Sequence, residues 1–206
     1  MRKWKRVDTA DGPRFRSALA YFTIIGLGFM LIQIPMLQRF SIYLGHPTYT
    51  FSIILFLMIL AAGLGSFASE RFHVDRSRRL VVLPLAIAVT TLFEMALLQP
   101  AIESTVAWSL PLRTIVVAGF VVPLAFALGF CFPVGLRLVG RTAPALNAWM
   151  WGINGACGVM ASIVAVMVSM WLGIEMNLLI AAGLYLLLVV PMRTLSAAES
   201  TTPRSR

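Results

Sequence analysis

The sequence predicts an all-α membrane protein: a polytopic bundle of six transmembrane helices with the N- and C-termini both cytoplasmic. Three observations carry that prediction. Of 206 residues, 59% are hydrophobic and 12% are charged, with a mean hydropathy of +0.87, which leaves too little polar surface for a water-soluble domain. The apolar residues gather into runs of roughly 18 to 25, the length that crosses a ~30 Å hydrocarbon core. Between these runs Lys and Arg alternate, fifteen on one side and two, Arg39 and Arg113, on the other. That asymmetry places the basic side in the cytoplasm, and it requires an even number of spans.

The chain opens with a basic arm, residues 1–17, where Arg2, Lys3, Lys5, Arg6, Arg14 and Arg16 are interleaved with Trp4 and Phe15. A signal peptide would have a shorter apolar core and a small-residue cleavage site. Here the run flows on into Gln38 and Arg39, so the first span is read as uncleaved. Six spans are expected at about 18–37, 48–69, 80–98, 112–136, 147–172 and 175–192, together one transmembrane domain over 18–192. Between the first two lies Gln33–Tyr49, QIPMLQRFSIYLGHPTY, a dense mixture of polar and helix-breaking residues. The short joint at Gly173 predicts a tight antiparallel hairpin of spans five and six. The Ser/Thr/Pro/Arg-rich tail, 193–206, reads as disordered.

The net charge of +9 sits in short loops between spans. This distribution points to a lipid bilayer as the partner and not to nucleic acid. The two histidines, His46 and His73, fall on opposite sides of the membrane, so they cannot share a metal or haem. Cys131 and Cys157 form no CxxC and read as small buried residues. No cofactor and no metal are expected.

The candidate binding or gating residues are Gln33, Arg39, His46, Glu94 and Asn154. Gln33 and Glu94 lie at similar depths, ~22 and ~21 Å from the cytoplasmic end of their spans. An intramembrane carboxylate marks a functional site unless it is paired at the interface. Glu94 is therefore expected either to serve a site or to pair with Arg39 or Arg113, with His46 in the same cluster. Gln33 either contributes to that cluster or makes an interhelical hydrogen bond. In span five, Gly155, Gly158, Ala161 and Ala165 form a small-residue face suited to close helix contact, which makes that span the expected packing centre. Asn154 lies within this face, and its carboxamide needs a partner from a neighbouring helix or a ligand.

Four blocks occur in order: GLGFMLIQIPMLQRFSIYLGHPTY, GLGS at 63–66, GFCFPVGLRL at 129–138 and WMWGINGACGVMAS at 149–162. On these blocks the chain, from about Tyr21 to Met192, resembles the membrane half of the spermidine synthase-like multispan membrane proteins. Those bacterial proteins join a polyamine-synthase-like nucleotide-binding domain to transmembrane helices. The helical portion is also similar, at the level of fold alone, to half of a major facilitator-type transporter. The resemblance implies a bacterial inner-membrane protein. It does not bring aminopropyl transfer with it, because the soluble domain is not in this sequence. Gly26-Leu27-Gly28 and Gly63-Leu64-Gly65 lie inside membrane spans and are not nucleotide fingerprints. Position 33 is often acidic in relatives, whereas here it is Gln33.

Two functions follow as expectations. The bundle transports or handles a small molecule, with the outer polar cluster as its site. Alternatively it anchors a separately encoded synthase-like soluble partner through its cytoplasmic basic loops; the partner expected beside the bilayer is that soluble protein or a second copy of the chain. Catalysis by this chain is not expected, since it shows no recognisable nucleophile–base or metal set.

Overall fold

The computed structural model describes residues 12–71, 81–140 and 146–197. They form α1 (Gly12–Leu44), α2 (Pro47–Arg71), α3 (Val82–Thr105), α4 (Leu110–Gly140), α5 (Asn147–Leu172), α6 (Ile174–Leu187) and α7 (Val189–Ala197). No strand occurs among the described residues. Among the described residues six helical spans are long and apolar enough to cross a membrane, α6 and α7 counting as one from Ile174 to Ser196. The protein is therefore an all-helical, multi-pass membrane bundle. An even number of spans returns the chain to the side on which α1 starts. That side is called the lower end below, and the charge pattern would make it cytoplasmic.

The helices overrun the hydropathy windows. α1 is 33 residues long and passes straight through Pro35. At 1.5 Å per residue it measures ~50 Å, well beyond the ~30 Å core. The polar stretch Gln33–Leu44 is thus mostly helix, because backbone groups near lipid remain bonded within the segment even where side chains turn polar. The actual turn to α2 is Gly45 and His46, and Gly45 takes φ +81°, which a side chain would resist. The other positive φ is at Gly173, +91°, where it reverses the chain between α5 and α6 as the short joint predicts.

At its far end the last span also runs on. Arg193–Ala197 belong to α7, so this part of the predicted disordered tail is helical. The break between α6 and α7 at Leu188 lies three residues before Pro191, whose ring and missing N–H disrupt the preceding turn. The basic arm before Gly12, the loops 72–80 and 141–145, and the tail 198–206 lie outside the described residues.

The centre of the bundle is α1, not α5. α1 packs against α2, α4, α5, α6 and α7, while α3 is held by α4 and α6. Tyr21, Phe22, Ile32 and Phe40 of α1 have no exposed surface. α5 is the least buried span. Of its small face Gly158, Ala161 and Ala165 are buried, Gly158 facing Gly26 of α1 and Ala165 O accepting from Asn177 of α6, while Gly155, expected to pack, is exposed, as are Met160, Ile163, Met170 and Trp171. Small residues bring two backbones together without deciding which helix is surrounded.

α2 and α4 cross backbone to backbone. A methyl group on Gly65 would run into the Phe126 carbonyl, and one on Gly129 into the Ala62 carbonyl. The two glycines are reciprocal, each meeting the backbone of the facing helix. Ala61, beside Gly65 on the same face, is also buried.

Candidate functional site

The upper end of the bundle does not assemble the expected polar cluster. Arg39 reaches from α1 to Glu175 at the start of α6, with 2.7 Å between Nη2 and Oε1. Arg113 is taken up by carbonyls: its Nη1 donates to Tyr43 O at 2.8 Å and its Nε to Trp108 O at 2.9 Å. Tyr43 and Thr105 join the tops of α1 and α3 through their hydroxyls at 2.6 Å. His46 is exposed in the turn.

Glu94 consequently has neither arginine. It sits on the buried face of α3 at 4% exposure, and its Oε2 has no hydrogen-bond partner among the described residues. The pairing expected for Glu94 fails for a physical reason: α6 brings its own carboxylate to Arg39, and Glu94 lies some seven helical positions deeper than Arg39, ~10 Å along the axes, when both helices are counted down from the Tyr43–Thr105 link. Gln33 is also buried, at 8% exposure, and its carboxamide makes no hydrogen bond among the described residues.

Asn154 leads to a different place. Its Nδ2 donates to Phe22 O of α1 at 3.2 Å, which fixes α5 against the central helix. The same contact brings Asn154 close to Gly26, where an added methyl would meet the Asn154 backbone oxygen at 2.6 Å. Beside this contact a cavity of about 500 Å³ opens between α1, α2, α4 and α5, with Tyr185 of α6 behind it. Asn154, Gly155 and Gly158 line it from α5, Gly63 and Ser66 from α2. Gly26 places it near the middle of α1, between Arg16 and Arg39. Around Gly155 and Gly63 a side chain would meet nothing within 4 Å, so the glycines leave the space open.

Three residues at these places, Glu175, Asn177 and Tyr185, escape sequence reasoning, whereas Arg137 is legible as a basic residue at the lower end. Glu175 looks like an ordinary loop acid next to Gly173. Asn177 is fully buried and stitches the hairpin, its Nδ2 donating to Ala165 O at 3.0 Å and to Ser169 Oγ at 2.7 Å. A carboxamide in an apolar run was the available signal for it. Tyr185 is 1% exposed and packs its ring on Gly28. Nothing in an apolar stretch separates such a tyrosine from one at the membrane interface. Arg137 donates to Ser69 Oγ at 3.2 Å and Ser69 O at 3.1 Å, closing the lower end of α2 against α4.

No protein-family model, no curated protein and no solved structure matches the chain.

Proposed function

We propose that this bundle transports or handles a small molecule in a bacterial inner membrane, and that the molecule occupies the cavity between α1, α2, α4 and α5. The observation behind the reading is the cavity itself. Its volume of about 500 Å³ falls within the ~300–1,000 Å³ of ordinary ligand pockets. It lies between helices of a membrane bundle, where such sites are commonly built. The resemblance to spermidine synthase-like membrane proteins favours a metabolic setting. The site proposed here is not the outer cluster that the sequence suggested but a place deeper in the bundle, which shares only Asn154 with the original candidates.

The test is uptake and metabolite profiling of a deletion strain, complemented with wild type or with Gly155→Leu. Leucine at 155 adds bulk at the cavity's edge, meets nothing within 4 Å at its Cβ, and is the better helix former. Wild type is expected to restore the profile and Gly155→Leu to fail at equal protein level. Equal restoration by both would remove the cavity from the mechanism.

A further inference from the structure

We propose that the cavity takes an uncharged, mainly apolar molecule bearing one hydrogen-bonding group, admitted from the bilayer between α2 and α5; this rests on the reading of the cavity as the binding place. None of the residues that line it is charged. An ion entering so apolar a space leaves its hydration behind and finds no counter-charge, which costs several kcal/mol or more in low dielectric. A polyammonium chain, which would need carboxylates, is the wrong guest.

Polar groups are nevertheless present and unused. Tyr185 is almost wholly buried, lines the cavity, and its hydroxyl has no hydrogen-bond partner among the described residues. The Asn154 carboxamide donates to Phe22 O, which leaves its oxygen without a partner among the described residues. Ser66 likewise lines the cavity, and its hydroxyl makes no hydrogen bond among the described residues. These polar atoms border the open space, and a ligand oxygen or nitrogen placed there would give them hydrogen-bond partners. The polar equipment suits one neutral head group, and Phe29, Met30 and Phe132 suit the apolar remainder.

The mouth faces lipid. α2 and α5 flank the cavity without substantial packing on each other, and Gly63, Gly155 and Val159 are exposed at its edge. Gly63 lies well inside α2, away from both Pro47 and Arg71, so the opening lies at hydrocarbon depth. A molecule dissolved in the bilayer reaches it without crossing the aqueous boundary.

The test is photolabelling of the purified full chain in phosphatidylcholine nanodiscs. Three diazirine probes are compared: a long-chain alcohol, the trimethylammonium analogue of the same chain, and a short-chain amide that stays in water. The alcohol is expected to label the α2 and α5 segments around Gly63 and Gly155, at least tenfold more than the cation does. Unlabelled alcohol should compete, Gly155→Leu and Gly63→Leu should each abolish the labelling, and Tyr185→Phe should weaken it about tenfold, as loss of one buried hydrogen bond predicts. Equal labelling by the cation, blocked by Gly155→Leu, would overturn the neutral class and leave the cavity as a binding place. Labelling by the short amide alone would overturn the bilayer route. Labelling that neither glycine variant changes would overturn the cavity as a site altogether. Elution of each variant as a single species at the wild-type volume keeps these outcomes readable.

Discussion

Arg137 of α4 holds Ser69 of α2 twice, by its hydroxyl and by its carbonyl, near the point where α2 ends. At the other end of the same helix, Arg113 does the corresponding service for the carbonyl of Tyr43 near the end of α1. The last carbonyls of a helix lack intrahelical partners, and a cation beside them also meets the negative end of the dipole. α4 therefore carries one arginine for each side of the membrane, and each closes the terminus of an earlier helix. Replacing either by alanine is expected to cost ~1–3 kcal/mol. Lysine at 137 should recover little, because a single ammonium does not present the planar fork that spans Ser69 Oγ and O. Thermal unfolding in detergent reads both effects; wild-type melting of Arg137→Ala would show the contact to be idle.

The glycines divide by what surrounds them. Gly65→Ala and Gly129→Ala force α2 and α4 apart and should each destabilise by ~1–3 kcal/mol. Gly119→Ala and Gly183→Ala meet nothing within 4 Å and should be neutral or gain up to ~1 kcal/mol from helix propensity. By the same reasoning Ala161→Leu, at a fully buried site, should be far worse than Val164→Leu, at a site 44% exposed. Melting temperatures that fail to separate these groups would contradict the packing.

Glu94 and Glu175 should respond in opposite directions. Glu94→Gln keeps the shape of a buried side chain whose Oε2 has no partner. It removes a group that is costly to keep ionised in lipid, so stability should hold or rise. Glu175→Gln deprives Arg39, which is 13% exposed, of its partner. Because Glu175 is itself 56% exposed, solvent screening limits that loss to about 1 kcal/mol or less. A clear fall in melting temperature for Glu94→Gln at neutral pH would reveal a partner for that carboxylate.

Reporter fusions after Arg79 and after Ala197 are both expected to report the cytoplasm, since an even number of spans separates them from each other and the basic side faces inward. A periplasmic signal from either would reverse the orientation drawn from charge.

Much of the fold is legible in the sequence because lipid imposes simple rules. Span number follows from apolar length and loop charge, and the Gly173 reversal from a joint too short for anything else. The hub is not legible. Tyr21, Phe22 and Ile32 of α1 are apolar, but so are Phe56, Ile59 and Leu64 of α2, which face outward. In a membrane the core and the solvent are both hydrocarbon, so apolarity does not report burial. Rarity did single out Gln33 and Glu94, yet their surroundings depend on helix order, which local spacing does not encode. Asn154 was found because a carboxamide inside a small-residue face is informative on its own. Tyr185 was missed because its significance comes entirely from the empty space beside it.

The ion pair between α1 and α6 also has a history in time. Glu175 follows Arg39 by 136 residues. At ~5–20 residues per second, synthesis brings the carboxylate roughly 7–27 s after the guanidinium. Throughout that interval the central helix already exists, carrying Gln33, Gln38 and Arg39 with no α6 against it. During biogenesis those side chains must be sheltered by the insertion machinery or held at the membrane surface. The helix on which five of the other six will pack thus waits for its ionic partner until the last span emerges, and premature release of the nascent chain would strand it.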